Sequence, residues 1–558
     1  VGLNLSTSYG TRNRFNFTYD YGSVDLNNLW GKLLYWDAWA PAYIDGKPVN
    51  PGWLGNPVEM MKNGGYWRSN NQQVDALLNA EYKVPFVKGL SLKMAYSRNI
   101  DNNYIKTFAK RQLLYNFKTT GTNNLIRTNE IIGSTMSSEP GTEYIGNEFY
   151  KSNSYQLNGQ ISYDQTFGRH HVSGDVIYEQ WENQNNAFTA YRYNFPLLPT
   201  DQFFAASGNT QDWRNSGNEG QDGRLSYIFR ANYDYDGKYL LSASMRRDAS
   251  IKFAPDQRWG NFPSISAGWV LSKETFYDNS KLPGVIDFAK LRFSFGSNGF
   301  DDPEDMNIRK WLWLDQYNIS SSTYYLGTNG TTAPRLTYGG IPNPGLTWEK
   351  SNSYNAGLDL IILKDFSFTA DFWKRHTYDI LGSRILVLPS EFGSSLPAEN
   401  YAVVDSKGFE LELGYRHTFG KDFTLNVRGN FSVATNEVIK KDVALNALPV
   451  DNPNGKTLGY GTGYVYKGIF TTQDQINALP AGFTFFGAPP TLGSAIFEDI
   501  NGSAGKPDGK VDSYDRVMLG KYFGSGSAPY SAGLLINLNY KGITLEALFS
   551  GLAGFKVS

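Results

Sequence analysis

Between residues 223 and 271 the chain reads GRLSYIFRANYDYDGKYLLSASMRRDASIKFAPDQRWGNFPSISAGWVL. Leu225, Tyr227, Phe229, Ala231 and Tyr233 alternate with Ser226, Arg230, Asn232 and Asp234, the period of two that gives a strand one apolar and one wet face; Ile228 alone breaks it. Asp236-Gly237 follows, a pair suited to a type I′ turn because both central positions need positive φ. In the next strand Tyr239, Leu241, Ala243 and Met245 oppose Leu240, Ser242, Ser244 and Arg246, and Arg246-Arg247-Asp248 leads into a loop closed by Trp259-Gly260-Asn261-Phe262-Pro263. Long strands with aromatic ends, a tight turn on one side and a polar loop on the other, are the unit of a transmembrane β-barrel.

The unit recurs. Residues 3–9 and 13–19 read as a first hairpin turning at Gly10-Thr11-Arg12, and residues 26–68 as a long ordered loop rich in Trp, Tyr, Pro and Gly. Alternation returns at 74–84 with 90–98, at 155–163 with 172–179 across Gly168-Arg169, and at 265–271 with 291–295. Further pairs are 354–362 with 366–373, 409–415 with 423–431 across Gly420-Lys421, and 534–540 with 543–549 across Lys541-Gly542. Segments 99–153, 180–223, 298–350 and 440–530 read as long loops. The pattern predicts about sixteen strands, with short turns on the periplasmic side and long loops outside. The even strand spacing of a soluble sandwich or propeller is not matched.

Composition narrows the class. The 558 residues carry 52 basic and 53 acidic side chains, a net charge of −1, which gives no global electrostatic case for nucleic acid. Without Cys there are no disulfides, thiolate metal sites or thiol catalysts. Aromatics make up 15% of the chain, with 37 Tyr, 35 Phe and 13 Trp, while the mean hydropathy is −0.43. No apolar run approaches the ~18 residues of a membrane helix, a test that barrels escape because only alternate residues face lipid. The chain opens inside an alternating strand without Met or a signal peptide and stops just after another strand, so it is expected to be the interior of a longer polypeptide.

The 223–271 hairpin closely resembles that of SusC/RagA-like TonB-dependent transporters. Four further segments resemble this family in order: Asn343-Pro344-Gly345-Leu346-Thr347-Trp348-Glu349-Lys350 with the strand from Tyr354 to Asp359; Lys407-Gly408-Phe409-Glu410-Leu411-Glu412-Leu413; Tyr464 to Phe470 with Gln473 and Asp474; and Tyr540-Lys541-Gly542 with 548–555. The resemblance implies an all-β chain, residues 1–558 forming part of a large antiparallel outer-membrane barrel of about 22 strands. The family's N-terminal plug and its last strands have no counterpart here. It also implies nutrient import of an oligosaccharide or peptide without enzymatic chemistry, a SusD-like lipoprotein on the extracellular loops, and TonB on the periplasmic side. A passive porin or structural barrel, and a soluble glycan-binding β protein, are the alternatives.

Two sets of residues are candidates for a site. Residues 499–515 resemble the EF-hand-like calcium loop that this family carries near its C-terminal end. By that resemblance Asp499, Asn501, Asp508 and Asp515 would be side-chain ligands, Lys510 a carbonyl ligand, and Asp512 a direct or water-mediated one, as hard Ca²⁺ needs six to eight oxygens. Six residues stand where the family usually has one between Asn501 and Asp508, and the alternative is a polar turn held by Asx hydrogen bonds. Trp36, Trp39, Trp53, Trp67, Trp311, Trp313, Tyr324 and Tyr325, in loops, could stack on sugar rings, or pack the loops onto one another or onto a lid subunit. Of the four His, His170 and His171 fall at a tight turn and His376 and His417 near strand ends, where solvated roles are expected. Glu410 and Glu412 alternate on one strand face, in reach of Arg416 or Arg428, as charged lumen residues.

Overall fold

A computed structural model describes residues 1–16, 34, 36, 40–52, 55–122, 125–137, 141–197, 199–301, 311–326, 331–385 and 396–557, with 320–326 and 331–334 described by backbone alone. One antiparallel sheet holds fifteen strands whose order in space is their order in the chain. They are β1 Gly2–Phe15, β2 Gly65–Lys83, β3 Leu90–Ala109, β4 Tyr144–Phe167, β5 His170–Tyr193, β6 Trp213–Tyr235, β7 Tyr239–Ser250 and β8 Trp259–Val270. The series continues with β9 Ile286–Phe300, β10 Glu349–Ile362, β11 Phe366–Ser383, β12 Ala398–Phe419, β13 Phe423–Lys440, β14 Tyr530–Tyr540 and β15 Ile543–Ala553. No helix among the described residues is long and apolar enough to cross a membrane.

Connections alternate short and long, as the pattern predicts, except around β8, where segment 251–258 on the long-loop side is shorter than segment 271–285 on the other. Asp236 and Gly237 both take positive φ, and the Lys238 amide donates to the Tyr235 carbonyl at 2.8 Å, closing the type I′ turn. Lys541 and Gly542 turn in the same way between β14 and β15. The opposite connections include 301–348 between β9 and β10 and 441–529 between β13 and β14.

Two expectations are corrected. The hairpin expected at Gly10-Thr11-Arg12 does not form: β1 runs straight through, with Gly10, Thr11 and Arg12 paired to Asn71, Asn70 and Ser69 of β2. None of the three has the positive φ that a tight turn needs. The segments 99–153 and 180–223 are not loops throughout. Strand β3 continues to Ala109, a hairpin pairs Leu113–Thr120 with Ile126–Met136, β4 starts at Tyr144, β5 reaches Tyr193 and β6 begins at Trp213. In these extensions polar residues interrupt the alternation, while apolar ones such as Phe108 and Ile145 are buried at the long-loop edge, so backbone pairing persists where the regular apolar/polar period stops.

The fold divides into two compact units, one of Val1–Tyr82, Leu92–Gly159 and Glu179–Arg224, the other of Lys83–Ser91, Gln160–Tyr178 and Leu225–Ser558. In the second unit the faces of β9–β13 are sharply unlike. Between β11 and β12 the register stacks Phe366 on Tyr415, Phe368 on Leu413, Ala370 on Leu411 and Phe372 on Phe409 on one face. Rings close both ends of this band, 4.6 Å between the Phe366 and Tyr415 centroids and 4.7 Å between Phe372 and Phe409. The six residue steps from one ring pair to the other span about 20 Å of strand. Phe372 is 60% exposed and Leu413 57%, so this apolar face is uncovered by protein. Buried clusters lie instead at the long-loop edge, around Phe253, Phe262, Leu346, Trp348 and Leu381 in the second unit and Phe108, Ile145 and Ala206 in the first.

Candidate functional site

The opposite face of β9–β13 is charged and tightly organised. Arg292 on β9 donates from Nε to Asp359 at 2.7 Å and from Nη2 to Asp371 at 3.1 Å, tying β9 to β10 and β11. Gly357, between them, makes this possible: a Cβ there would stand 2.7 Å from both the guanidinium and Asp371. One row toward the long loops, the Trp373 ring lies over Gly408, where a Cβ would meet it at 2.4 Å, and its Nε1 donates to Glu410 at 3.0 Å. Glu412 pairs with Arg428 at 3.4 Å, one of the two partners expected for it.

In the first unit, the polar face of β4 and β5 becomes a tyrosine wall toward its long-loop edge. Ser152 donates to Asn183 at 3.0 Å and Gln156 to Glu179 at 3.2 Å. Farther along the same face Glu148 accepts hydrogen bonds from Tyr150 and Tyr191. The Tyr144 ring lies 5.9 Å from Tyr191 and 5.4 Å from Tyr193, and Arg214 stands 5.9 Å from the Tyr193 ring. Gly146 has no side chain because the Tyr191 ring fills that space. Sequence reasoning missed this wall by assigning both stretches to loops. The signal was Tyr191-x-Tyr193 and Glu148-x-Tyr150, a period of two written in polar aromatics.

Loop 194–212 is tied to this unit by Asp201, which accepts from the Tyr66 hydroxyl and lies 3.4 Å from Lys106. The tyrosine hydrogen bond, reinforced by the ammonium, holds the Asp201 carboxyl below the usual carboxylate range.

The expected loop aromatics divide. Trp36 donates from Nε1 to the Ala40 carbonyl at 2.7 Å, and Trp67, on β2, lies under the Arg14 guanidinium at 5.5 Å. The Trp311 and Trp313 rings are neighbours at 6.3 Å. Tyr324 and Tyr325 belong to strand Tyr317–Leu326, paired with Thr331–Tyr338. Trp39, Trp53 and the side chains of Tyr324 and Tyr325 lie outside the described residues. The Asn343–Trp348 segment packs into the loops: Trp348 Nε1 donates to the Arg258 carbonyl at 2.9 Å, and Asn343 Nδ2 to the Ala398 carbonyl at 2.7 Å. Each His has a polar neighbour, His170 with Tyr233, His171 with Asp164, His376 with Asp405 and His417 with Asp365.

Residues 499–515 hold themselves. Asp515, 1% exposed, accepts from the amides of Ile500, Asn501 and Asp512 at 2.7, 2.9 and 2.8 Å. Asp499 accepts from the amides of Asp508 and Gly509, Asp508 from that of Lys510, and Asp512 from that of Tyr514. Among the described residues no three acidic or histidine side chains converge as a metal-holding group. The carboxylate–amide bonds staple the loop in the manner of Asx turns.

Residues 2–526 match the family model described as TonB dependent receptor-like, beta-barrel. Among curated proteins, TonB-dependent receptor P3 of Formosa agariphila is 24% identical over 488 residues, covering 85% of this chain and 44% of the relative. TonB-dependent receptor SusC of Bacteroides thetaiotaomicron is 27% identical over 308 residues, 49% of this chain and 29% of the relative. The chain thus spans less than half the length of these relatives. A solved structure of the RagAB peptide importer in its open-open state superposes with a TM-score of 0.69 at 17% identity, covering 99% of this chain and 55% of that one.

Proposed function

The chain belongs to the TonB-dependent receptor-like β-barrel family, and on that premise we propose that it is part of the wall of an outer-membrane importer of oligosaccharides or peptides. The observation that carries the reading is the two-sidedness of the sheet in the second unit: an uncovered apolar band closed by rings on one face, ion pairs on the other. Binding falls to the polar face, where tyrosine rings offer apolar contact with a polar tip and Glu148 or Glu410 can accept hydrogen bonds from hydroxyls or amides. TonB coupling through a plug outside this segment, and a SusD-like lipoprotein seated on the long loops, complete the reading.

Uptake by cells making the full-length protein tests it. Labelled oligosaccharide and labelled peptide are offered separately, with and without TonB. Saturable uptake of one class that disappears without TonB is the expected result. Uptake that rises linearly with concentration and ignores TonB would identify a passive pore instead.

A further inference from the structure

The apolar face is not flat near its long-loop edge. Ile265, Phe293, Phe295, Tyr354, Phe372 and Phe409 wall a groove of about 880 Å³ across β8–β13. Directly beyond the Phe372–Phe409 row, Lys374 and Lys407 stand opposite each other across β11 and β12, on the same face, and both line the groove. Like charges in directly opposed positions repel, so the strands gain nothing from this pairing themselves. Lys374 reaches Asp405 at 3.7 Å, and that carboxylate is also held by His376. Lys407 makes no ion pair among the described residues.

A lysine at the edge of an apolar band lays its methylenes along the band and turns its ammonium toward the aqueous interface. Two such lysines over an open apolar groove complement a molecule with an anionic head and a hydrocarbon tail. Basic positions at the membrane boundary recognise lipid headgroups in this way.

We propose that the groove holds one phosphorylated lipid, its acyl chain against Phe293, Phe372 and Phe409 and its phosphate between Lys374 and Lys407. A free phosphate is the wrong occupant: Lys374 is 62% exposed, no backbone cradle accompanies the pair, and the groove below would stay unfilled. The site is separate from the polar face that handles cargo, because the two-residue period sends these lysines to the opposite side from Trp373 and Glu410.

The inference rests on the membrane reading above, and the experiment separates the two. Full-length protein, delipidated in detergent, is offered dioleoyl phosphatidic acid or dioleoylglycerol, which share their chains and differ by the phosphate, and retained lipid is read by native mass spectrometry. Wild type is expected to prefer the phosphorylated lipid by about tenfold or more, a difference well above the noise of such a comparison. Lys374→Gln/Lys407→Gln brings the two lipids to parity, Lys407→Arg keeps the preference, and Lys421→Gln/Lys541→Gln at the short turns leaves it unchanged. Inorganic phosphate in excess does not displace the lipid. A preference that survives the double substitution, or one abolished by inorganic phosphate, overturns the proposal. Failure of the protein to float with phosphatidylcholine liposomes would sink the membrane reading itself; flotation without a phosphate preference would sink only the lipid site.

Discussion

Trp348 is the residue at which its own segment, the loop 251–258 and strand β8 meet in the second unit. It is 5% exposed, its ring lies 5.3 Å from Phe262 and 5.6 Å from Phe253, and its indole nitrogen satisfies the carbonyl of Arg258. Gly260 and Gly299 leave the room that the Phe262 ring occupies, since a Cβ at either would overlap it. Trp348→Ala should destabilise this edge by about 3–5 kcal/mol, the range for a buried aromatic lost to a cavity. Limited proteolysis of loops 251–258 and 343–348 reads the effect, and unchanged protection would show that the cluster does not hold them. In the first unit, Asp201 governs its own loop, 194–212, by charge. Its carboxyl titrates lower in the fold than in the unfolded chain, so its stabilisation is fully present above the ordinary carboxylate range of about 4. It is lost as pH falls through the depressed value. Hydrogen exchange in residues 194–212 should therefore accelerate at acid pH in the wild type, while Asp201→Asn should exchange faster at neutral pH and respond less to acid.

At the scale of elements, what the sequence disclosed was the part of each strand with one apolar face. Tyr354–Ile362 against Phe366–Trp373 was legible because Leu358, Leu360 and Phe368 repeat every second residue, and the register joins them as expected. The far ends of β4, β5 and β6 were not, because there polar residues such as Asn147, Lys151, Asn183 and Asn185 interrupt the aliphatic alternation and the period that remains is written in tyrosines. Gly10 misled for the opposite reason: glycine permits a turn without requiring one, and the ladder to β2 wins. The 499–515 loop is a third case, since the same Asp and Asn residues serve a cation shell or an Asx-stapled loop equally well on paper. Three amides donate to Asp515 and staple the loop in this structure. Asp515→Ala would strand those donors, each costing about 1–3 kcal/mol if left buried and unpaired, and should open the loop to protease. Wild-type protection should be the same in calcium and in EDTA. Calcium-dependent protection of the wild type would restore the cation reading.

For the whole molecule the decisive question is which face of the sheet meets hydrocarbon, because cargo, lid and lipid assignments all follow from it. Thr369 and Ala370 are adjacent on β11 and pair with Glu412 and Leu411, so they face opposite ways at the same height, between the two ring rows. A lysine at either position adds the same charge and nearly the same bulk to the same strand. If the ring-bounded face lies in the bilayer, Ala370→Lys must bury an ammonium in hydrocarbon, at about 2–4 kcal/mol near the midplane. Thr369→Lys instead places it beside the carboxylate of Glu412, across the ladder on the polar face, and should cost a small fraction of that. Denaturant unfolding of the full-length protein from liposomes measures both. Equal penalties would mean that neither face meets lipid, as in a soluble glycan-binding protein, and the reverse order would turn the barrel inside out. The comparison is insensitive to strand propensity, because the two positions share one strand, one neighbouring pair of strands and one introduced residue.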